Sequence, residues 1–248
     1  MTDTLPARLA DARASARRRS ARDREAGFSL VELAIVLIII GLIVGGVLKG
    51  QDLIESARVN SIQTQLNEVR VAASTFLNKY DDLPGDLANE DLVDAGDTDL
   101  AGGDGNGRVE GVRTGDAQGD SEAVAFWQQL RADSLLGGIQ NIAGNDMAAA
   151  DGLQSRVGGY YTILWDTQGG TTSHWILLGA GVNTNDNDDS VLTPLQIRGI
   201  DVKSDDGDPT AGNVLAEDGA DAPNAGDCVS SGDYATGDAV ACVALFKL

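Results

Sequence analysis

The chain has 248 residues, enough for one or two domains, and a formal net charge of −20. That balance argues against a nucleic-acid binder, which needs a basic face. It fits plain solubility or a surface that tolerates cations.

The charge is split along the chain. Residues 1–27 hold seven arginines (Arg8, Arg13, Arg17, Arg18, Arg19, Arg22, Arg24) against four acids, a net of +3, so the remainder carries −23. This segment is rich in Ala and Arg and has no apolar face to bury, which predicts a leader outside the fold. Residues 28–48 then run for 21 positions with one charge, Glu32. As a helix the run spans about 32 Å, close to the roughly 30 Å of bilayer hydrocarbon. A cleaved secretory signal would be shorter and end in a small-x-small site. Here Gly45 and Gly46 lead into Val47, Leu48 and Lys49, and the helical pattern continues. The positive-inside rule keeps the Arg-rich end cytoplasmic and exports the body.

From Lys49 the chain turns polar but keeps its period. Val59, Ile62, Leu66, Val69, Ala73, Phe76 and Tyr80 recur at alternating spacings of 3 and 4, an apolar stripe on a polar helix. "DDLPG", Asp81 to Gly85, stops it. One helix is therefore predicted from Phe28 to near Tyr80, and its amphipathic half must lie against the residues after Pro84.

Those residues are rich in Gly, Asp and Asn, with short apolar islands. Ser121–Leu136 is predicted as a helix capped by Asp120 or Ser121. Tyr160–Trp165 and His174–Leu178 are predicted strands, with "DTQGGTTS" between them as a hairpin loop. Thr193-Pro194 offers an N-cap and a first-position proline for a short helix to about Ile200. Ala239–Phe246 reads as a last strand. The acidic loops at 85–120 and 182–191 look too rich in Gly and Asp to pack. The predicted fold is α+β: a long N-terminal helix on a small antiparallel-sheet head with long loops. Its segments are 1–27 leader, 28–48 membrane-length helix, 49–82 amphipathic continuation and 83–248 head.

The two cysteines, Cys228 and Cys242, lie close together. In an exported body such a pair reads as a disulfide, the alternative being two buried thiols. Closing a loop of about 15 residues contributes on the order of 3 kcal/mol in the entropic model. Two acidic stretches raise calcium. One offers Asp97, Asp99, Asp104, Asn106 and Glu110; the other offers Asn185, Asp186, Asn187, Asp188 and Asp189. Oxygen ligands on Gly-rich loops suit Ca²⁺, but neither stretch fits the EF-hand pattern, and simple solvated loops are the favoured reading. His174, the single histidine, has no Ser/Asp, Cys or second His to complete a catalytic or zinc group. "GGDGNG" lacks the P-loop lysine. With no catalytic constellation, the chain is not expected to be an enzyme.

At "GFSLVELAIVLIIIGLI" the sequence resembles type IV pilin-like proteins, the prepilins and the pseudopilins of type II secretion. Gly27 stands before the expected cut, Phe28 at the first mature position and Glu32 at the fifth. The "DLPGDL" stop and the late cysteine pair are also similar to members of this group. "LTPLQIRGIDVKSDDGDPTAGNV" is similar to a tract in some environmental prepilin-like proteins. The leader is long and the head large for the better-known members.

The resemblance implies a prepilin peptidase that cuts between Gly27 and Phe28 and methylates the new amine. It implies residence in the inner membrane, N-terminus cytoplasmic and head outside. An assembly platform there would then draw the chain into a filament with itself and related pilins or pseudopilins, an alternative role being a minor or tip pilin that binds a surface or cargo. No direct nucleic-acid partner is expected. Some pseudopilins hold a calcium in the head. Glu32 gains a role on this reading. A carboxylate at mid-bilayer costs about 2.5–3.5 kcal/mol, less near the end of a span, and needs a partner. Residues 28–48 contain no Lys or Arg before Lys49. The amine made at Phe28 would lie about 6 Å away along one helix, and an amine on a neighbouring subunit reaches the acid better. Gly41, Gly45 and Gly46 serve close helix packing or local melting, or are merely tolerated.

Overall fold

A computed structural model of the chain describes residues 28–87, 102–110, 122–139, 153–180 and 188–248. Two compact units divide it, Met1–Leu48 and Lys49–Leu248.

Helix α1 (Leu30–Tyr80) is continuous through the predicted span. Ser29 opens it: its side chain accepts the Val31 N–H at 3.3 Å, and its carbonyl accepts the Leu33 N–H at 3.1 Å. At the other end Asp81 takes φ +60, which α-helical backbone cannot continue. Within the first unit every side chain of the described residues is exposed. Within the second unit the predicted stripe is buried: Val59, Ile62, Leu66, Val69, Ala73 and Phe76 all lie in the core, and Tyr80 packs at its edge. Each large member contributes about 1.5–3 kcal/mol on full burial.

The stripe faces a five-stranded antiparallel sheet, β1 (Leu153–Gln154), β2 (Tyr160–Gln168), β3 (Thr171–Gly179), β4 (Val214–Asp218) and β7 (Cys242–Lys247), in the order β1-β2-β3-β7-β4. Period-two alternation divides the sheet side chains between two clusters. Ile163, Ile176, Leu178, Val214, Ala244 and Phe246 join α1, while Leu164, Trp175, Leu177, Leu215, Val243 and Leu245 form a second cluster. Two further strands, β5 (Val229–Ser230) and β6 (Asp233–Tyr234), make a separate hairpin. Polar ties fix α1 to the sheet: Gln65 donates to the Gln154 carbonyl at 3.1 Å and accepts the Arg156 N–H at 3.0 Å, and Arg70 donates to the Lys247 carbonyl at 2.5 Å.

Helix α2 (Glu122–Ala132) is shorter than the predicted 121–136. Ser134 at φ +55 ends it before Leu136. The proposed caps Asp120 and Ser121 lie outside the described residues. The β2–β3 turn is tighter than predicted: the strands run on through the polar residues to a two-residue turn, Gly169-Gly170, both at positive φ. Thr167 and Thr172 share a hydroxyl hydrogen bond at 2.6 Å across it. Helix α3 (Pro194–Ser204) starts as expected on Thr193 and Pro194, and Gln196 completes a reciprocal capping box. The sequence reading missed β4 altogether. Strand β7 starts at Cys242 rather than Ala239.

One expectation is overturned in part. The described pieces of the acidic loops pack. Gly103 donates to the Leu87 carbonyl at 3.0 Å and Gly105 to the Asp86 carbonyl at 3.0 Å, and Val109 is fully buried. Glycine is required at position 103, where a Cβ would meet the Asp86 Cα at 2.4 Å. Further on, Asp189 bridges Ala180 and Ser190 is buried.

Candidate functional site

Three features have chemistry to offer: the N-terminal helical segment, the acidic residues between α1 and α2, and the cysteine pair.

In the N-terminal segment Gly27 lies outside the described residues, so only the far side of the expected cut is described. Phe28 is 74% exposed and precedes the helix. With Leu30 as the first helical residue, Glu32 occupies the third position, inside the first turn. Partial positive charge from the free N–H groups of that turn stabilises an acid there. No ion pair among the described residues involves Glu32. An 18-residue window of this helix has mean hydropathy 2.9 and none of its residues buried, and it is long and apolar enough to cross a membrane. Cβ atoms built at Gly41, Gly45 and Gly46 would meet nothing within 4 Å. Any packing constraint on these glycines therefore comes from outside this chain.

Among the acidic residues, Asp97, Asp99, Asn185, Asp186 and Asn187 lie outside the described residues. The fold gathers Asp104, Asn106 and Glu110 around two acids the sequence reading did not name, Asp86 and Glu122. Oxygens of Asp86, Asp104 and Glu122 lie within 4.8 Å of one another. Protein donors already engage most of them. Asp86 is fully buried and accepts the Asn106 N–H at 2.9 Å on one oxygen and the Gly107 N–H at 2.6 Å on the other. Glu122 accepts the Asp104 N–H at 3.0 Å and the Glu110 N–H at 2.8 Å. Asp104 accepts the Asn106 N–H at 3.1 Å, and the Asn106 amide donates to both Glu110 oxygens at 3.2 and 3.3 Å. Burial, together with the hydrogen-bonded Glu110 carboxyl, pushes Glu122 up to about 7, while Glu110 is held below its usual value by the same contact. These acids fasten the 102–110 segment to the start of α2. Asp188 and Asp189 join no cluster of acids among the described residues.

The "DLPGDL" turn is fixed in the same region. Gly85, at φ +93, donates to the Gln129 side chain at 2.6 Å, and Gln129 donates back to the Leu87 carbonyl at 3.1 Å. A Cβ on Gly85 would meet the Glu122 carbonyl oxygen at 2.4 Å. His174 is structural: its Nε2 accepts the Val109 N–H at 3.0 Å and its ring lies 4.6 Å from that of Trp165. Cys228 and Cys242 form the expected disulfide, both fully buried.

The exposed apolar segment that begins at Phe28, with one acid in its first turn, is a surface suited by composition to lipid or to other apolar helices. A family model for the prokaryotic N-terminal methylation motif matches residues 22–48. The match covers the stretch that holds Phe28 and Glu32 and does not extend into the head. Among solved structures it is similar to the major type IV pilin PilA1 from Clostridium difficile, with 14% identity, 78% of this chain and 96% of that chain covered, and a TM-score of 0.35. No curated protein matches the chain.

Proposed function

We propose that the chain is a structural subunit of a type IV pilus or pseudopilus filament. A prepilin peptidase cuts between Gly27 and Phe28 and methylates the Phe28 amine. Residues 28–48 hold the subunit in the inner membrane, head outside, until the assembly platform moves it into a filament of like subunits. The observation that carries this reading is the exposed apolar window of α1 with a single carboxylate at its start, inside the segment matched by the methylation motif. Such a surface is stable only in lipid or against other apolar helices. Glu32 then pairs with the amine of a neighbouring subunit, which fixes the axial step between subunits.

Glu32→Ala is expected to leave expression and cleavage intact and to abolish filaments. Mass spectrometry of the processed chain should find N-methylated Phe28 at its start in both wild type and variant. Normal filaments from Glu32→Ala overturn the docking role, and an uncut chain in the wild type overturns the processing.

A further inference from the structure

The filament reading leaves unused a group of carboxylates at the C-terminal end of α3. Asp201 lies in the last turn of that helix, and Asp205 and Asp206 follow it. Each offers an oxygen, and the three oxygens lie within 4.8 Å of one another. Asp201 is fully buried at 0% exposure, whereas Asp205 is half-buried and Asp206 exposed. One Asp201 oxygen, Oδ2, accepts the Tyr234 hydroxyl at 2.7 Å. The other, Oδ1, is buried and has no hydrogen-bond partner among the described residues. No Lys or Arg forms an ion pair with any of the three among those residues.

This arrangement differs from the Asp86 and Glu122 group. There both oxygens of each buried acid accept a backbone N–H. Here one oxygen of a buried carboxylate has no hydrogen-bond partner among the described residues, and an oxygen of each of two further acids lies within 4.8 Å of that carboxylate. The other two acids are held in place from the loop side. Asp205 accepts the N–H groups of Asn213 and, at 3.1 Å, Val214 on one oxygen, and the Asn213 side-chain amide at 3.0 Å on the other. Asp206 accepts the Asp208 N–H at 2.9 Å. Buried polar oxygens in folded proteins are almost always partnered, and buried charge is paired or coordinates a metal. Around Asp201, the Tyr234 O–H and the Gly207 N–H favour the ionised form, while Asp205 and Asp206 oppose it and burial opposes it most. What is missing is a positive charge.

We propose that the Asp201 carboxylate, with one oxygen each from Asp205 and Asp206, binds a hard divalent cation of the calcium class. The donor set is oxygen only, without His or Cys, which suits Ca²⁺ and disfavours zinc or copper. Three or more further oxygens, supplied by water entering from the exposed Asp206 side, complete the six to eight ligands that Ca²⁺ takes. Bound there, the cation ties the end of α3 to the 205–214 loop that leads into β4 and, through Tyr234, to β6. The site does not depend on filament assembly.

The test uses the full-length chain in detergent micelles, stripped with chelator. CaCl₂ binding is measured by equilibrium dialysis, and the thermal midpoint is followed with CaCl₂ and with EDTA. Wild type should bind Ca²⁺ and melt higher in its presence. Asp206→Asn, at an exposed position where folding is preserved, should weaken binding at least tenfold and remove most of the Ca²⁺-dependent rise. Asp104→Asn, in the other acidic group, should leave both unchanged. No binding and no Ca²⁺-dependent rise in wild type overturns the proposal, as does Asp206→Asn binding like wild type. A protonated-carboxyl infrared band that disappears in Asp201→Asn and is indifferent to Ca²⁺ also overturns it, since a proton then fills the place assigned to the cation.

Discussion

Replacing one isoleucine at a time on α1 separates the two tasks of that helix. Ile62 is 1% exposed in the core of the second unit, and Ile43 is 56% exposed in the apolar window. Ile→Ala at a buried position costs about 2–5 kcal/mol, because transfer free energy is lost and a cavity remains. For a unit of this size, Lys49–Leu248, each kcal/mol moves the thermal midpoint by about 2–4 °C. Ile62→Ala should therefore lower the midpoint by roughly 4–20 °C. Ile43 lies on the exposed surface of the helix and outside the core, so the change for Ile43→Ala should stay within about 0.5 kcal/mol. Scanning calorimetry of the full chain in detergent, with near-ultraviolet dichroism to follow the buried Trp127 and Trp175, reads both. A midpoint shift for Ile43→Ala as large as that for Ile62→Ala refutes the reasoning, as does an Ile62→Ala shift below about 2 °C.

The remaining expectations concern the head. Cys242→Ser, or reduction of the Cys228–Cys242 bond, should cost on the order of 3 kcal/mol in the loop-entropy model; denaturant titration with and without reductant measures it, and overlapping curves contradict it. Glu122 sits at about 7 in the folded chain against about 4.3 when unfolded. Its folded form holds the proton more tightly, so stability should fall as pH rises from about 4.5 to 7 and be regained on acidification through that window. Glu110, shifted the other way, acts only below it. Glu122→Gln should flatten the slope, and an unchanged slope assigns it to other groups.

The long helix was legible because one face repeats at helical spacing for seven contacts, and because Asp81 to Gly85 carry stop signals that need no tertiary context. The β2–β3 strands were legible in their apolar halves only. Their distal residues, Asp166–Gln168 and Thr171–Ser173, look like loop by polarity, yet β-branched Thr167 and Thr172 pair across the turn. Strand β4 is five residues long between Gly- and Asp-rich stretches, and pairing with β7 rather than its own pattern makes it a strand. The residues proposed for processing and docking, Gly27, Phe28 and Glu32, stand out in sequence because they are local to one motif. Asp86, Glu122 and Asp201 do not stand out. Each is an ordinary acid in a very acidic chain, and its role depends on which backbone N–H groups the fold brings, or fails to bring, to its oxygens.

The place of β7 in the sheet has a consequence for how the head is made. Strands β3 and β4 do not touch; each pairs with β7, which lies between them. Yet β7 comes later in the chain than both, with 62 residues between the end of β3 and its first residue. Until β7 is in place, β3 has an unpaired edge on that side, and β4 has no strand to join. The sheet therefore stays open, and the α1 stripe only partly covered, until the segment around Cys242 arrives. The same strand that closes the sheet carries Cys242, so sheet closure and the Cys228–Cys242 bond depend on one segment.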